Sequence, residues 1–183
     1  LRGDDRLVGV EITSGEHDIL LFSSAGKSIR FRESDVRSVG RTAIGVRGIR
    51  LADGDKVVSL IVAETIDPIL TATEKGYGKR TNLDEYRTQA RGGSGVISIK
   101  TSQRNGKVVG AIQVTDEDEM MLISNKGTLV RARACDVSII GRNTQGVTLI
   151  NIAKDEELVS VAKIAESDEE SEDNSVAENN PEG

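Results

Sequence analysis

The chain has 183 residues, with 24 Lys and Arg against 30 Asp and Glu, 19 glycines, two prolines and only 2% aromatic residues. One cysteine and one histidine exclude a disulfide framework and a Cys/His zinc site within the chain. There is no apolar run of about 18 residues to cross a membrane as a helix, and no signal-like start. The formal charge of −6 averages two unlike regions. Residues 166–183 hold eight acids and no Lys or Arg, so residues 1–165 hold 22 acids against 24 bases, a net of +2. Charge segregated in this way suggests a body that meets a polyanion and a tail that repels or imitates one. The near absence of cysteine fits a cytoplasmic setting.

The chain starts at Leu1 in the middle of a repeating unit, so more chain is expected before it. Residues 7–12 (LVGVEI) resemble residues 57–62, 108–113 and 158–163, with Gly9, Ser59, Gly110 and Ser160 spaced by 50, 51 and 50. Residues 1–16 are therefore expected to be the end of a preceding unit, closing on a strand. The first full unit covers residues 17–64. Residues 18–23 form an apolar run of strand length, Ser24, Ala25 and Gly26 turn the chain, and residues 27–32 alternate with Ile29 and Phe31 on one face. A loop leads to an expected third strand at residues 46–51, and the turn Ala52–Asp53–Gly54–Asp55 leads to a fourth at residues 57–63.

Residues 65–114 repeat this pattern with expected strands at 69–73, 79–83, 96–101 and 108–114. Their last turn contains Asn105–Gly106, a strong hairpin signal. Residues 115–164 repeat it again with strands at 119–124, 128–133, 147–152 and 157–164. The fold class that follows is all-β, a propeller-like array of four-stranded blades with a period near 50 residues. Past residue 165 the apolar pattern stops, and Ser, Asn, Glu and Asp dominate. That acidic C-terminal tail is expected to be disordered, because it has too little apolar surface to offset ordering entropy.

Basic residues recur in step. Arg30, Arg80 and Arg131 follow the glycines Gly26, Gly76 and Gly127, while Arg41, Arg91 and Arg142 stand four residues before Gly45, Gly95 and Gly146. Arg32 and Arg133 lie two residues beyond the first set, hence on the same strand face. Residues in register across successive blades form a line, and a line of guanidiniums matches a line of phosphates. The candidate DNA-binding set is Arg30, Arg32, Arg41, Arg47, Lys79, Arg80, Arg91, Lys100, Arg131, Arg133 and Arg142. Acids recur too (Asp35, Glu85, Asp136), in keeping with loop hydrogen bonds.

Other constellations carry no chemistry. The stretch AGKS at residues 25–28 lacks the upstream glycine of a phosphate-binding loop, having Leu21 there, and it runs into a strand instead of a helix. The acids at residues 116–119 have no counterparts in the other units and read as a solvated loop. Tyr77, Tyr86, His17 and Cys135 lack partners in step, so no catalytic constellation is present.

The stretches GYGKRT (residues 76–81), GVISIK (95–100), GTLVR (127–131) and IGRNTQGV (140–147) resemble the C-terminal domain of bacterial DNA gyrase A, over essentially residues 7–164. The resemblance implies a β-pinwheel of six four-stranded blades with duplex DNA wrapped around a basic rim. It implies that the parent complex is an ATP-hydrolysing type II topoisomerase that introduces negative supercoils. The remainder of gyrase A and the gyrase B polypeptide would be its partners, in a heterotetramer of two of each, cytoplasmic and associated with the bacterial chromosome. ATP and Mg2+ would belong to gyrase B and the cleavage core, with no cofactor in this segment. The family's wrapping box QRRGGxG appears only as QARGGSG at residues 89–95, with Ala90 in place of an arginine. The corresponding C-terminal domain of topoisomerase IV and a propeller-like protein-interaction module are the alternatives.

Overall fold

The structure is a computed structural model and describes residues 5–164. It is built from eleven strands: β1 (Asp18–Ser23), β2 (Lys27–Arg32), β3 (Val57–Ala63), β4 (Ile69–Thr73), β5 (Tyr77–Thr81), β6 (Val96–Ile97), β7 (Val108–Gln113), β8 (Glu119–Ser124), β9 (Leu129–Arg133), β10 (Val147–Thr148) and β11 (Leu158–Lys163). The hairpins β1–β2, β4–β5 and β8–β9 lie where the apolar runs and glycine turns put them. Gly26, Gly76 and Gly127 each turn at φ of 77 to 83°, a backbone region in which any side chain is strained.

All pairings between these strands are antiparallel, in three sheets ordered β3–β1–β2–β6, β7–β4–β5–β10 and β11–β8–β9. The four expected strands of a unit therefore do not share one sheet. β6 lies in the second repeat but pairs with β2 of the first, through Lys27↔Ile97 and Ser28↔Val96. β10 of the third repeat pairs in the same way with β5 of the second, through Val147↔Gly78 and Thr148↔Tyr77. Each of these repeats hands its third strand back to the preceding sheet.

That strand is two residues long instead of the expected six. The backbone bends where two successive amides converge on one carbonyl. Ser98 and Ile99 N–H both donate to Gly26 O (2.8 and 3.2 Å), and Leu149 and Ile150 N–H both donate to Gly76 O (2.8 and 3.2 Å). The ladder cannot continue past a carbonyl used twice. Residues 46–51 form no strand, since the described residues offer them no preceding sheet, and residues 7–12 form none either. β5 begins and ends two residues earlier than expected, set by the turn in which Gly76 N–H donates to Thr73 O at 3.0 Å. The acidic tail, and its expected disorder, lie outside the described residues.

The core sits between sheets as well as within them. Leu20, Phe22 and Ile61 of the first sheet pack with Ile69, Leu83, Tyr86 and Ala111 of the second unit. Leu70 and Ala72 pack with Met120, Leu122, Ala134, Val137, Leu158 and Val161 of the third. With so few aromatics, one edge-on pair does the bulk filling: Phe22 and Tyr86, 5.8 Å apart at 74°. β3, β7 and β11 adjoin one another along the inner side, leaving β6 and β10 outermost.

Candidate nucleic-acid interface

Two of the recurring arginines lock successive units together. Arg30 Nη1 donates to the carbonyls of Leu83 (3.0 Å) and Tyr86 (3.3 Å) in the next unit, and its guanidinium pairs with Asp18 at 2.5 Å. One period on, Arg80 Nε donates to Val137 O at 2.8 Å and pairs with Asp116. Tyr86 and Val137 each follow a 3₁₀ turn (Leu83–Glu85 and Ala134–Asp136), so the two arginines reach the same spot in neighbouring units. Arg80 is buried, which corrects its reading as a phosphate contact, while Arg30 is half-buried. A guanidinium presents several donors in a rigid fork, which suits capping stray carbonyls at a joint.

The second recurring set has the same habit. Arg91 donates to Arg47 O (2.5 Å) and Asp35 O (3.1 Å), and Arg142 Nη1 donates to Ile97 O (2.8 Å). Arg47 and Ile97 occupy equivalent positions, so these bonds too repeat with the period. Both side chains remain partly exposed.

Lys79 is a second correction. It is fully buried, and its ammonium donates to Gly141 O (2.6 Å), Arg142 O (2.6 Å) and Thr144 Oγ1 (3.2 Å). Burial pushes its pKa down to about 8, with Arg142 reinforcing the shift and Glu85 opposing it. Ile29 and Val130 stand at this position in the other units. Lys79 therefore lies beneath the loop that carries Arg142 and cannot face a ligand.

The remaining predicted cations reach the surface in two states. Arg32, Arg131 and Arg133 are exposed but matched by Asp18, Glu119 and Asp136 respectively. Arg41, Arg47 and Lys100 are exposed with no ion pair among the described residues. Three of the four acids at residues 116–119 are paired, Asp116 with Arg80, Asp118 with Lys163 at 2.7 Å and Glu119 with Arg131.

The fold gathers the unmatched cations on its outer side. Gly92 N–H donates to Gly48 O (2.7 Å) and Arg50 N–H to Gly93 O (2.8 Å), bringing Arg47, Arg50 and Arg91 onto one pair of strips. Lys100 N–H donates to Thr144 O at 2.8 Å, bringing Lys100 to the loop of Arg142. Two basic groups thus follow each other along the outer segments. Arg50 was missed in the sequence because it stands on an apolar segment, although its equivalence to Lys100 was readable. Arg104 was also missed. It leaves the Asn105–Gly106 turn and covers the Tyr77 ring at 4.9 Å, and its hydrogen bond and charge lower the Tyr77 pKa.

These features define a strand-exchanging β-propeller repeat with a basic outer band. The family described as "DNA gyrase C-terminal domain, beta-propeller" matches residues 17–64, 67–115 and 118–165, and the chain belongs to that family. Among its relatives is the DNA gyrase A polypeptide of Klebsiella oxytoca, 58% identical over 166 residues, covering 91% of this chain and 19% of the relative. The Salmonella typhimurium gyrase A is 56% identical over 182 residues, covering 97% of this chain and 21% of the relative. The chain thus spans about a fifth of the length of these relatives.

A solved DNA gyrase A C-terminal domain matches with a TM-score of 0.77 at 32% identity, over 82% of this chain and 51% of that one. A DNA topoisomerase IV C-terminal domain matches with a TM-score of 0.84 at 28% identity, over 90% and 51%. Backbone shape does not separate the two. The sequence relatives favour gyrase A over topoisomerase IV.

Proposed function

We propose that this chain is a DNA-binding and DNA-wrapping segment of a gyrase A polypeptide, with duplex DNA lying along the outer band. The observation that supports this most is the clustering of Arg47, Arg50 and Arg91, then Lys100 and Arg142, on consecutive outer segments, with Arg41 preceding them in the chain. Phosphates carry no sequence information, so binding through such a band is insensitive to base sequence and steep in salt. Bending about 20–30 bp by 40–90° costs on the order of 1–6 kcal/mol, which repeated phosphate contacts offset. In this reading the rest of gyrase A and the gyrase B polypeptide are the partners. ATP and Mg2+ act there, strand cleavage belongs outside this segment, and the setting is the cytoplasm at the bacterial chromosome.

The test is affinity for a linear duplex of about 150 bp, one persistence length, across a salt series. Topology is scored on a nicked circle religated with the chain bound. A steep slope is expected, falling by roughly 0.9 for each phosphate contact removed in a variant carrying Arg47→Gln, Arg50→Gln and Lys100→Gln. Arg30 and Arg80 are unsuitable for this purpose, since replacing them opens the joints. An unchanged slope in the triple variant sinks the band as the DNA path. A shift toward positive writhe supports wrapping by this segment, and none limits it to extending a path begun elsewhere.

A further inference from the structure

The three units carry equivalent outer segments at residues 36–52, 86–102 and 137–153, and none of these contains an Asp or Glu. Their cations differ. The first segment holds Arg37, Arg41, Arg47 and Arg50, the second Arg87, Arg91 and Lys100, and the third Arg142 alone. Ser138 takes the position of Arg37 and Arg87, and Asn151 that of Arg50 and Lys100. Both replacements are exposed, so burial does not explain the missing charge. Arg37 and Arg87 are exposed in their turn, with no ion pair among the described residues.

The second and third segments are seated alike, so they differ in charge and not in placement. Gln89 N–H donates to Arg30 O (2.8 Å) beside β2, and Ile140 N–H donates to Arg80 O (2.9 Å) beside β5. Parallel bridges Arg30↔Thr88 and Arg80↔Ile139 repeat the match, and β6 and β10 follow on the same two edges. Arg142 does not make up the difference. Its guanidinium donates back to Ile97 O of the second segment at 2.8 Å, and its N–H donates to the Glu85 carboxylate at 3.0 Å. Its charge therefore belongs with the second segment and stands near an acid. Residues 143–153 hold no cation, and Lys154, the next one, shares its turn with Asp155 and Glu156.

We propose that the basic band stops at the third unit: duplex DNA is held by residues 36–52 and 86–102 and parts from the protein at residues 137–153. This rests on the DNA-binding reading above and adds the point at which the duplex is released. A bent duplex stays against a surface only while phosphate contacts offset the bending cost, and that cost recurs along the path. The second segment supplies such contacts through Arg87, Arg91 and Lys100. The third offers only Arg142, leaning back on the second, so beyond it the duplex straightens. The third unit then props the second, through the bond from Arg80 to Val137 O, without lengthening the wrap. Ser138 and Asn151 fix the point of departure, since they are the neutral residues where the other units are basic.

Site-directed cross-linking tests this in the intact chain, in a Cys135→Ser background because Cys135 is exposed. Arg87→Cys, Lys100→Cys, Ser138→Cys and Asn151→Cys are made singly, labelled with an azidophenacyl group and irradiated on a duplex of about 150 bp. Residues 87 and 100 should cross-link to DNA, and residues 138 and 151 should give only background. A gain of contact is the second arm. Ser138→Arg combined with Asn151→Lys adds cations at two exposed sites and leaves the Ser138 carbonyl free to accept Arg80 N–H. The hydroxyl-radical footprint on the duplex should lengthen, and the salt slope should steepen by roughly 0.9 for each new phosphate contact. Equal cross-linking at all four sites overturns the proposal while DNA binding stands. So does a footprint that the double variant leaves unchanged. No cross-link at any site, with a flat salt dependence, overturns the proposal together with the DNA-binding reading beneath it.

Discussion

Replacing Lys79 by methionine separates charge from packing at a fully buried site. The unfolded lysine keeps its proton up to about 10.5, and the folded one releases it at about 8. At about 1.4 kcal/mol per pKa unit, holding the ammonium inside costs about 3 kcal/mol at neutral pH. The sign follows from proton counting. Between pH 8 and 10.5 the unfolded chain binds more protons than the folded one, so stability rises with pH across that window. Methionine fills similar space without a titrating proton. It removes the ammonium's bonds to the carbonyls of Gly141 and Arg142, which keep Thr144 Oγ1 and Thr144 N–H as donors, so the loss is that of two charge-assisted hydrogen bonds, about 1.5 kcal/mol each. At neutral pH these terms largely cancel, and Lys79→Met should shift stability little. The difference between the two proteins should then widen in favour of the lysine by about 3 kcal/mol on passing from below pH 8 to above 10.5. Urea unfolding of both proteins across the pH series measures it. A difference that stays flat refutes the reasoning, because it would mean that burial does not disfavour the charge.

Two further comparisons use the repeat as its own control. Gly76→Ala and Gly127→Ala both force alanine to positive φ, at about 1–2 kcal/mol each, but only the first also drives a methyl into the Ile150 carbonyl. Gly76→Ala should therefore lower the melting temperature well beyond Gly127→Ala, and equal losses would contradict the joint. Arg80→Met should cost about 2–3 kcal/mol, because it leaves Val137 O uncapped in a buried setting, whereas Arg131→Met removes only a solvent-screened ion pair and should cost much less. Denaturant unfolding of the two variants distinguishes them, and a reversed order would show that the arginine caps contribute nothing to the joint.

Much of the fold was legible because its signals are local. The hairpin turns at Gly26, Gly76 and Gly127 and the apolar runs before them needed only neighbouring residues to read. Strand exchange was not legible: residues 96–97 show the same pattern whether they pair with β5 or with β2, and only the carbonyl of Gly26 decides. The recurring arginines illustrate a deeper ambiguity. A residue repeats with the period either because a ligand is periodic or because the contact between units is periodic, and both leave the same trace. For Arg30 and Arg80 the contact is the cause. For Arg47, Arg50 and Lys100, the surface is where they stand. Lys79 was misread because a buried ammonium and an exposed one look alike in a chain whose other copies hold Ile29 and Val130.

The exchange of β6 and β10 puts the inherited repeat and the physical sheet out of phase. Each four-stranded sheet is sewn from the strands of one repeat and a strip of the next, so no cut between repeats removes one sheet whole. A loss or gain of one full period, between equivalent positions, still brings a donor to an acceptor of the same form. Unit number can therefore vary without redesigning any joint.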